Sequence, residues 1–255
     1  MGSLHARVIS QSDRTELAWV ADRSESAGTA AAARFGTTWV QAMDLTDVDA
    51  VVVASSTETH PALALEVLAA GKPLLVEKPL ADTLADATKI VEAAAADDIP
   101  LMCGFLERFN PAVRTALEIV EHPISAAAVR HSPYVPRIKT GVASDLLIHD
   151  IDATLSVFGA SAPRDVRGLF GYVHPLSLED SEDIAEGVLE FEGGALATCS
   201  ASRVGQRKIR TLSIVEQERE IAIDLLRQDI TIYRHVDHAA TDDSTGLGYR
   251  QQTVI

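Results

Sequence analysis

The chain alternates between two hydrophobic patterns. Apolar positions recur at helical spacing over Ser3 to Ser12, from Ala27 to Phe35 before Gly36, from Pro61 to Ala70 before Gly71, and from Thr83 to Ala96. Between them stand short continuous apolar runs, Leu17 to Ala21, Ala50 to Ala54, Leu74 to Val76 and Leu101 to Gly104, of the kind a buried strand requires. This alternation predicts an α/β fold with a doubly wound parallel sheet.

Beyond about residue 122 the pattern changes. One long helix is predicted from Asp145 to Phe158. Extended runs follow at Val166–Val173, Ile184–Phe191, Ala195–Arg203, Arg210–Val215 and Glu220–Leu225, with Gly193-Gly194 as a hairpin turn. The expected division is a first domain over 1–122 and an α+β domain with a large, mostly antiparallel sheet over 123–255.

Composition narrows the class. With 47% hydrophobic and 23% charged residues the chain reads as globular, and a net charge of -15 argues against nucleic acid and anionic membrane surfaces as partners. Cys103 and Cys199 lack the paired spacing of a metal or redox motif, which fits a reduced, cytoplasmic setting. No apolar run reaches the ~18 residues a membrane helix needs.

Candidate chemistry gathers where strands end. Glu77-Lys78-Pro79 directly follows Leu74-Leu75-Val76, and ligands of open parallel sheets bind outside the carboxyl ends of strands. Lys78 is either a working residue there or an ordinary charged strand end. Ser55 to Pro61 follows another strand and brings Thr57 and His60 to the same edge as ligand contacts; alternatively Thr59 or a neighbouring hydroxyl caps the helix and His60 is solvated.

Farther along, Asp145, His149 and Asp152 are four and then three residues apart, one face of an α-helix. A histidine one turn from an aspartate suits proton exchange with an alcohol. The same face reads equally as a capped structural helix, or as ligands for a divalent metal in a hydrolase or lyase; no further acid, cysteine or histidine cluster completes a shell, so no metal is expected. Arg130, Arg137 and Lys139, then Arg203, Arg207, Lys208 and Arg210, form local basic groups, suited to phosphate or to a solvated sheet face.

Asp22 closes the strand Leu17–Ala21 at the distance from Gly2 that separates a dinucleotide-binding glycine turn from the acid holding the ribose hydroxyls. Gly2 is therefore expected to be the last glycine of such a turn, with a first strand preceding Met1 and a further segment following Ile255. A sheet without that first strand is expected to be poorly stable.

Together M-G-S-L-H, A-D-R at Asp22, S-S-T-E-T-H, G-K-P-L-L-V-E-K-P-L, E-R-F-N-P and S-D-L-L-I-H-D-I-D resemble the Gfo/Idh/MocA family of nicotinamide-dependent oxidoreductases. The resemblance implies a Rossmann-type first domain and a substrate-binding, oligomer-forming second one. It implies that Lys78 contacts the reacting hydroxyl, that His149 is the acid/base and that Asp145 binds or orients substrate. Gly2, Asp22, Arg23, Thr57, His60, Glu77 and Lys78 would line the site for NAD, with Arg23 admitting NADP. E-R-F-N-P-A-V, Y-V-P-R-I-K and K-I-R-T-L look most like the branch that oxidises UDP-N-acetylglucosamine at C3, while branches acting on inositols or free sugars share most motifs. A sensor or scaffold that keeps the fold without turnover is the remaining alternative.

Overall fold

The computed structural model describes residues 1–136, 140–236 and 248–254. It divides into two compact units, Met1–Gly104 and Phe105–Ile255. The division falls at Gly104 rather than at 122 because the E-R-F-N-P segment is bonded into the second unit: Asn110 Nδ2 donates to the Leu225 carbonyl at 3.1 Å.

The first unit runs α1 (Gly2–Gln11), β1 (Trp19–Ala21), α2 (Glu25–Phe35), β2 (Thr38–Val40), β3 (Val51–Val53), α3 (His60–Ala69), β4 (Leu74–Val76), α4 (Leu84–Ala96) and β5 (Leu101–Cys103). Ser24 caps α2, accepting from the Ala27 amide, and Gly36 at φ 69° ends it in the left-handed conformation that favours glycine. Thr83 caps α4 in the same way. All pairings are parallel, and the strands form two sheets, β1-β2 and β3-β4-β5, as expected of a doubly wound sheet that lacks its first, central strand. Among the described residues no strand hydrogen-bonds β1 to β3. Val51, Val53, Leu74 and Val76 are buried against Ala64, Val67, Leu68 and Ile90 of the helices, which is why the apolar runs were continuous.

The second unit opens with α5 (Pro111–Ile119) and β6 (Ser125–His131), continues with α6 (Ile148–Val157) and adds β7 (Asp165–Gly171), β8 (Ile184–Glu190), β9 (Leu196–Ser202), β10 (Ile209–Val215), β11 (Glu220–Asp224), β12 (Asp229–Val236) and β13 (Gly248–Val254). They form one eight-stranded sheet in the order β13-β12-β11-β10-β6-β9-β8-β7. Among the described residues of this sheet, only β6 and β9 pair in parallel. Gly193 and Gly194 turn the chain between β8 and β9 at φ 79° and 83°, the predicted hairpin.

The helix expected from Asp145 begins differently. Ala143–Leu147 is a π-helical turn, and regular α-helix starts at Ile148. Its wider turn changes the angular spacing between Asp145 and the residues of α6 that follow. Small inward residues of β6, Ala126 and Ala128, are buried with Leu147, Ala153 and Val157 in the second core.

Candidate functional site

In the first unit the strand exits converge on one edge. A Cβ built on Gly2 would stand 3.9 Å from that of Ala54, so α1 begins against the exit of β3. No side chain caps the α1 N-terminus. Asp22 and Arg23 lie exposed after β1. Asp22 Oδ1 accepts from the Ser24 amide at 2.8 Å, and its carbonyl accepts from Trp39 Nε1 at 3.1 Å. The Ser56 hydroxyl, and after it the Glu58 backbone amide, hold the Glu58 carboxyl below its ordinary range.

Glu77 is buried at the exit of β4, 5% exposed. Its Oε1 lies 2.6 Å from His5 Nε2 and its Oε2 accepts from the Lys78 amide at 3.3 Å. Gly104 makes room for it: a Cβ there would meet Glu77 Oε2 at 3.0 Å. Lys78 is half-buried, and the Lys78-Pro79 peptide is cis. His60, 1% exposed, stands with Nδ1 2.9 Å from the Pro79 carbonyl oxygen and Nε2 3.2 Å from that of Ser55. Its ring holds backbone, tying the segment before Thr57 to the segment after Lys78. Thr59, the expected cap of α3, makes no capping bond; its hydroxyl donates to the Ser56 carbonyl at 2.7 Å.

In the second unit a charge network surrounds the start of α6. Arg130 is 1% exposed, and its Nε and Nη2 donate to Asp150 at 2.8 and 2.9 Å while Nη2 also donates to Glu107 at 2.8 Å. Burial pushes the Asp150 carboxyl above its ordinary value, and Arg130 offsets this only in part. Glu107 shows the opposite balance: burial would raise its carboxyl, but Arg130, Asn110 and His149 hold it below the ordinary range. Asp152 is buried and accepts from Arg108 Nε at 2.9 Å, so it serves an ion pair and not the expected shared face.

Arg210 is the register partner of Arg130 across β6 and β10. Burial and then the neighbouring Arg130 lower its proton affinity, against the charges of Glu107, Asp150 and Asp145. Its Nε has no hydrogen-bond partner among the described residues. The other basic positions separate: Arg203 is buried and donates to the Thr140 carbonyl, Arg207 and Lys208 are exposed, and Arg137 and Lys139 lie outside the described residues. Lys78 thus belongs to the first unit, and Asp145 and His149 to the second.

Sequence reading noted Glu107 only within E-R-F-N-P, with no role of its own, and took Arg130 for part of a basic patch. The available signal was alternation. Arg130 follows Ala126 and Ala128 on the inward side of its strand, and an arginine there requires carboxylate partners. Among the described residues, no group of three or more His, Cys, Asp or Glu is arranged to hold a metal.

An open helix N-terminus, an exposed acid after β1 and a lysine after β4 on parallel strand exits define a Rossmann-type unit, followed here by a sheet-built α+β unit. Residues 1–105 match the oxidoreductase family model for an NAD-binding Rossmann fold, and residues 122–221 match the GFO/IDH/MocA C-terminal domain. The chain belongs to the Gfo/Idh/MocA family. It is 32% identical over 191 residues to UDP-N-acetylglucosamine 3-dehydrogenase of Acidithiobacillus ferrooxidans, covering 74% of this chain and 59% of that protein. It is 33% identical over 213 residues to inositol 2-dehydrogenase 2 of Saccharopolyspora erythraea, covering 77% and 62%. The solved structure of the Acidithiobacillus enzyme superposes with a TM-score of 0.88 at 28% identity, over all of this chain and 79% of that one. The chain thus spans about three fifths of the length of these curated relatives.

Proposed function

We propose that the chain acts as an NAD(P)-dependent dehydrogenase, moving hydride between a secondary alcohol of a sugar or nucleotide sugar and the nicotinamide ring. The observation that carries this reading is that the α1 N-terminus stands against the exit of β3, while Asp22 follows β1, Thr57 follows β3 and Lys78 follows β4, in a chain of an oxidoreductase family. The residues fit a dinucleotide: the open α1 N-terminus at Gly2 suits a pyrophosphate, and the exposed Asp22 carboxylate suits ribose hydroxyls, which favours NAD. Arg23 beside it keeps NADP as the rival. His60 and Glu77 contribute by holding backbone at that edge.

The nicotinamide cofactor, when bound, supplies the hydride acceptor. Lys78 polarises the substrate oxygen, His149 takes the hydroxyl proton, and Asp145 orients substrate or base. UDP-N-acetylglucosamine is the first substrate to offer, on the strength of the relative and the structure named above. Inositol is the second, because a relative of similar identity carries that name.

The test offers NAD and NADP with UDP-N-acetylglucosamine, myo-inositol and free sugars, and follows reduced cofactor at 340 nm in wild type, Lys78→Ala and His149→Ala. Turnover lost in both variants is expected, and undiminished turnover in both would sink the assigned roles. Cofactor binding without turnover on every alcohol favours the sensor reading. No helix among the described residues is long and apolar enough to cross a membrane. A homo-oligomer joined through the second unit, working in the cytoplasm, completes the proposal; a monomer in sedimentation, or protein recovered outside the cytoplasmic fraction, would contradict it.

A further inference from the structure

We infer that Glu182 is a positioning residue for Asp145 and His149, because it fixes the start of the π-helical turn that carries the first and leads into the second. The inference deepens the dehydrogenase reading and rests on it for the roles of Asp145 and His149; the clasp itself rests on hydrogen bonds within the second unit.

Glu182, 9% exposed and just before β8, uses backbone and side chain together. Its carbonyl accepts from the Val142 amide at 3.1 Å, and its Oε1 accepts from the Ala143 amide at 2.7 Å. Amides at a helix start have no partner within the helix, and Val142 at the cap position has no side chain that could serve. Gly141 completes the contact. A Cβ built there would overlap Glu182 Oε2, so any side chain at 141 must displace the carboxylate.

The stretch that Glu182 holds is bonded directly to the backbone of the two site residues. The Gly141 carbonyl accepts from the Asp145 amide at 3.0 Å. The Ala143 carbonyl accepts from the Ile148 amide five residues on, the bond that makes the turn π-helical, and His149 follows at once. Ala143 is therefore fixed at its amide by Glu182 while its carbonyl closes the turn. A shift of Ala143 changes where the helix bearing His149 begins.

The base from which Glu182 reaches is itself held. The Asp183 amide donates to the Gly171 carbonyl at 2.8 Å, and the Asp183 carbonyl accepts from the Arg203 amide at 2.9 Å. Arg203, 4% exposed, also donates through its side chain to the Thr140 carbonyl, so residues 140 to 143 are gripped from both strand ends. A local serine or aspartate cap would satisfy the same amides without burying a carboxylate. What Glu182 adds is a fixed distance between the sheet and the turn. Groups that do chemistry lose rate steeply when displaced by as little as ~1 Å.

The experiment follows amide exchange by NMR in the full chain, with the fully buried Ile221 of β11 as the control. In Glu182→Ala, exchange at Ala143 and Ile148 should quicken about tenfold while Ile221 stays unchanged. Glu182→Gln keeps an acceptor of the same reach and should stay within about threefold of wild type, whereas Glu182→Asp keeps the charge, falls short of Ala143 and should follow Glu182→Ala. On the alcohol that wild type oxidises, Glu182→Ala and Glu182→Asp should lower kcat about tenfold or more with KM for NAD unchanged, and Glu182→Gln should restore it. Unaltered exchange at Ile148, an equal rise at Ile221, an unaltered kcat, or a Gln variant no better than Ala overturns the inference. Should Glu182→Ala not melt cooperatively, the Gln and Asp variants carry the comparison. Exchange needs no substrate: quickening confined to the turn, with no turnover by wild type on any alcohol, leaves the clasp standing and removes the dehydrogenase reading.

Discussion

His5 Nε2 lies 2.6 Å from Glu77 Oε1, which latches the first turn of α1 to the exit of β4. The Glu77 side chain is 7% exposed, so the contact shields a carboxylate that water scarcely reaches. His5→Ala should lower stability by about 1–2 kcal/mol in a urea melt, with His5→Gln recovering part of the loss. Because the Lys78 amide bonds the other Glu77 oxygen, the same variant should weaken any activity that depends on Lys78.

Gly28 faces Trp39. A Cβ there would come within 2.1 Å of the indole Cδ1, far inside contact distance. Alanine in a helix normally gains ~1 kcal/mol over glycine, but here the overpacking cost of ~1–3 kcal/mol should win. The indole must move, and it is the group that donates to the Asp22 carbonyl. Gly28→Ala should therefore shift tryptophan emission and weaken binding of NADH, as followed by its fluorescence, while lowering the melt.

Arg130→Met would leave Asp150 buried without its cation. The expected loss is about 3–5 kcal/mol at neutral pH. The pH dependence has a definite sign. The folded state already raises the Asp150 carboxyl, so its contribution is most favourable below the ordinary aspartate range and declines as pH rises through the raised value. The gap between wild type and Arg130→Met should shrink when melts are repeated near pH ~4, where protonated Asp150 needs no partner.

Asp183, fully buried, accepts from the amides of Val173 and His174 at 2.8 Å each and from the Ser177 hydroxyl. Burial alone would raise its carboxyl, but the Ser177 hydroxyl and the two amides outweigh it and hold it below the ordinary value. Its stabilisation of the segment between β7 and β8 is complete above the usual aspartate pKa of about 4 and is lost as pH falls through the depressed value. Amide exchange at Val173 and His174 should accelerate only in that acid window. Ser177→Ala should move the onset to higher pH.

Much of the first unit was legible in the sequence. Continuous valine and leucine runs mark strands buried on both faces, Gly36 and Thr83 mark helix ends, and Glu77-Lys78-Pro79 falls at a strand exit as expected. β2, only three residues long with an indole on one side, left no periodic signal. Neither did β6, whose alanines suggest helix until tertiary packing makes their small size useful beside α6.

Local sequence therefore determined the order of most elements and the residues standing at strand exits, because period and capping act within a few positions. Tertiary structure decided what those residues do with their side chains. His60 turned inward to two carbonyls, Asp152 was taken by Arg108, and Arg130 left the basic patch to join Glu107 and Asp150. Each outcome follows from one physical demand: a polar or charged group taken out of water must find its partner in space, wherever the chain has placed it.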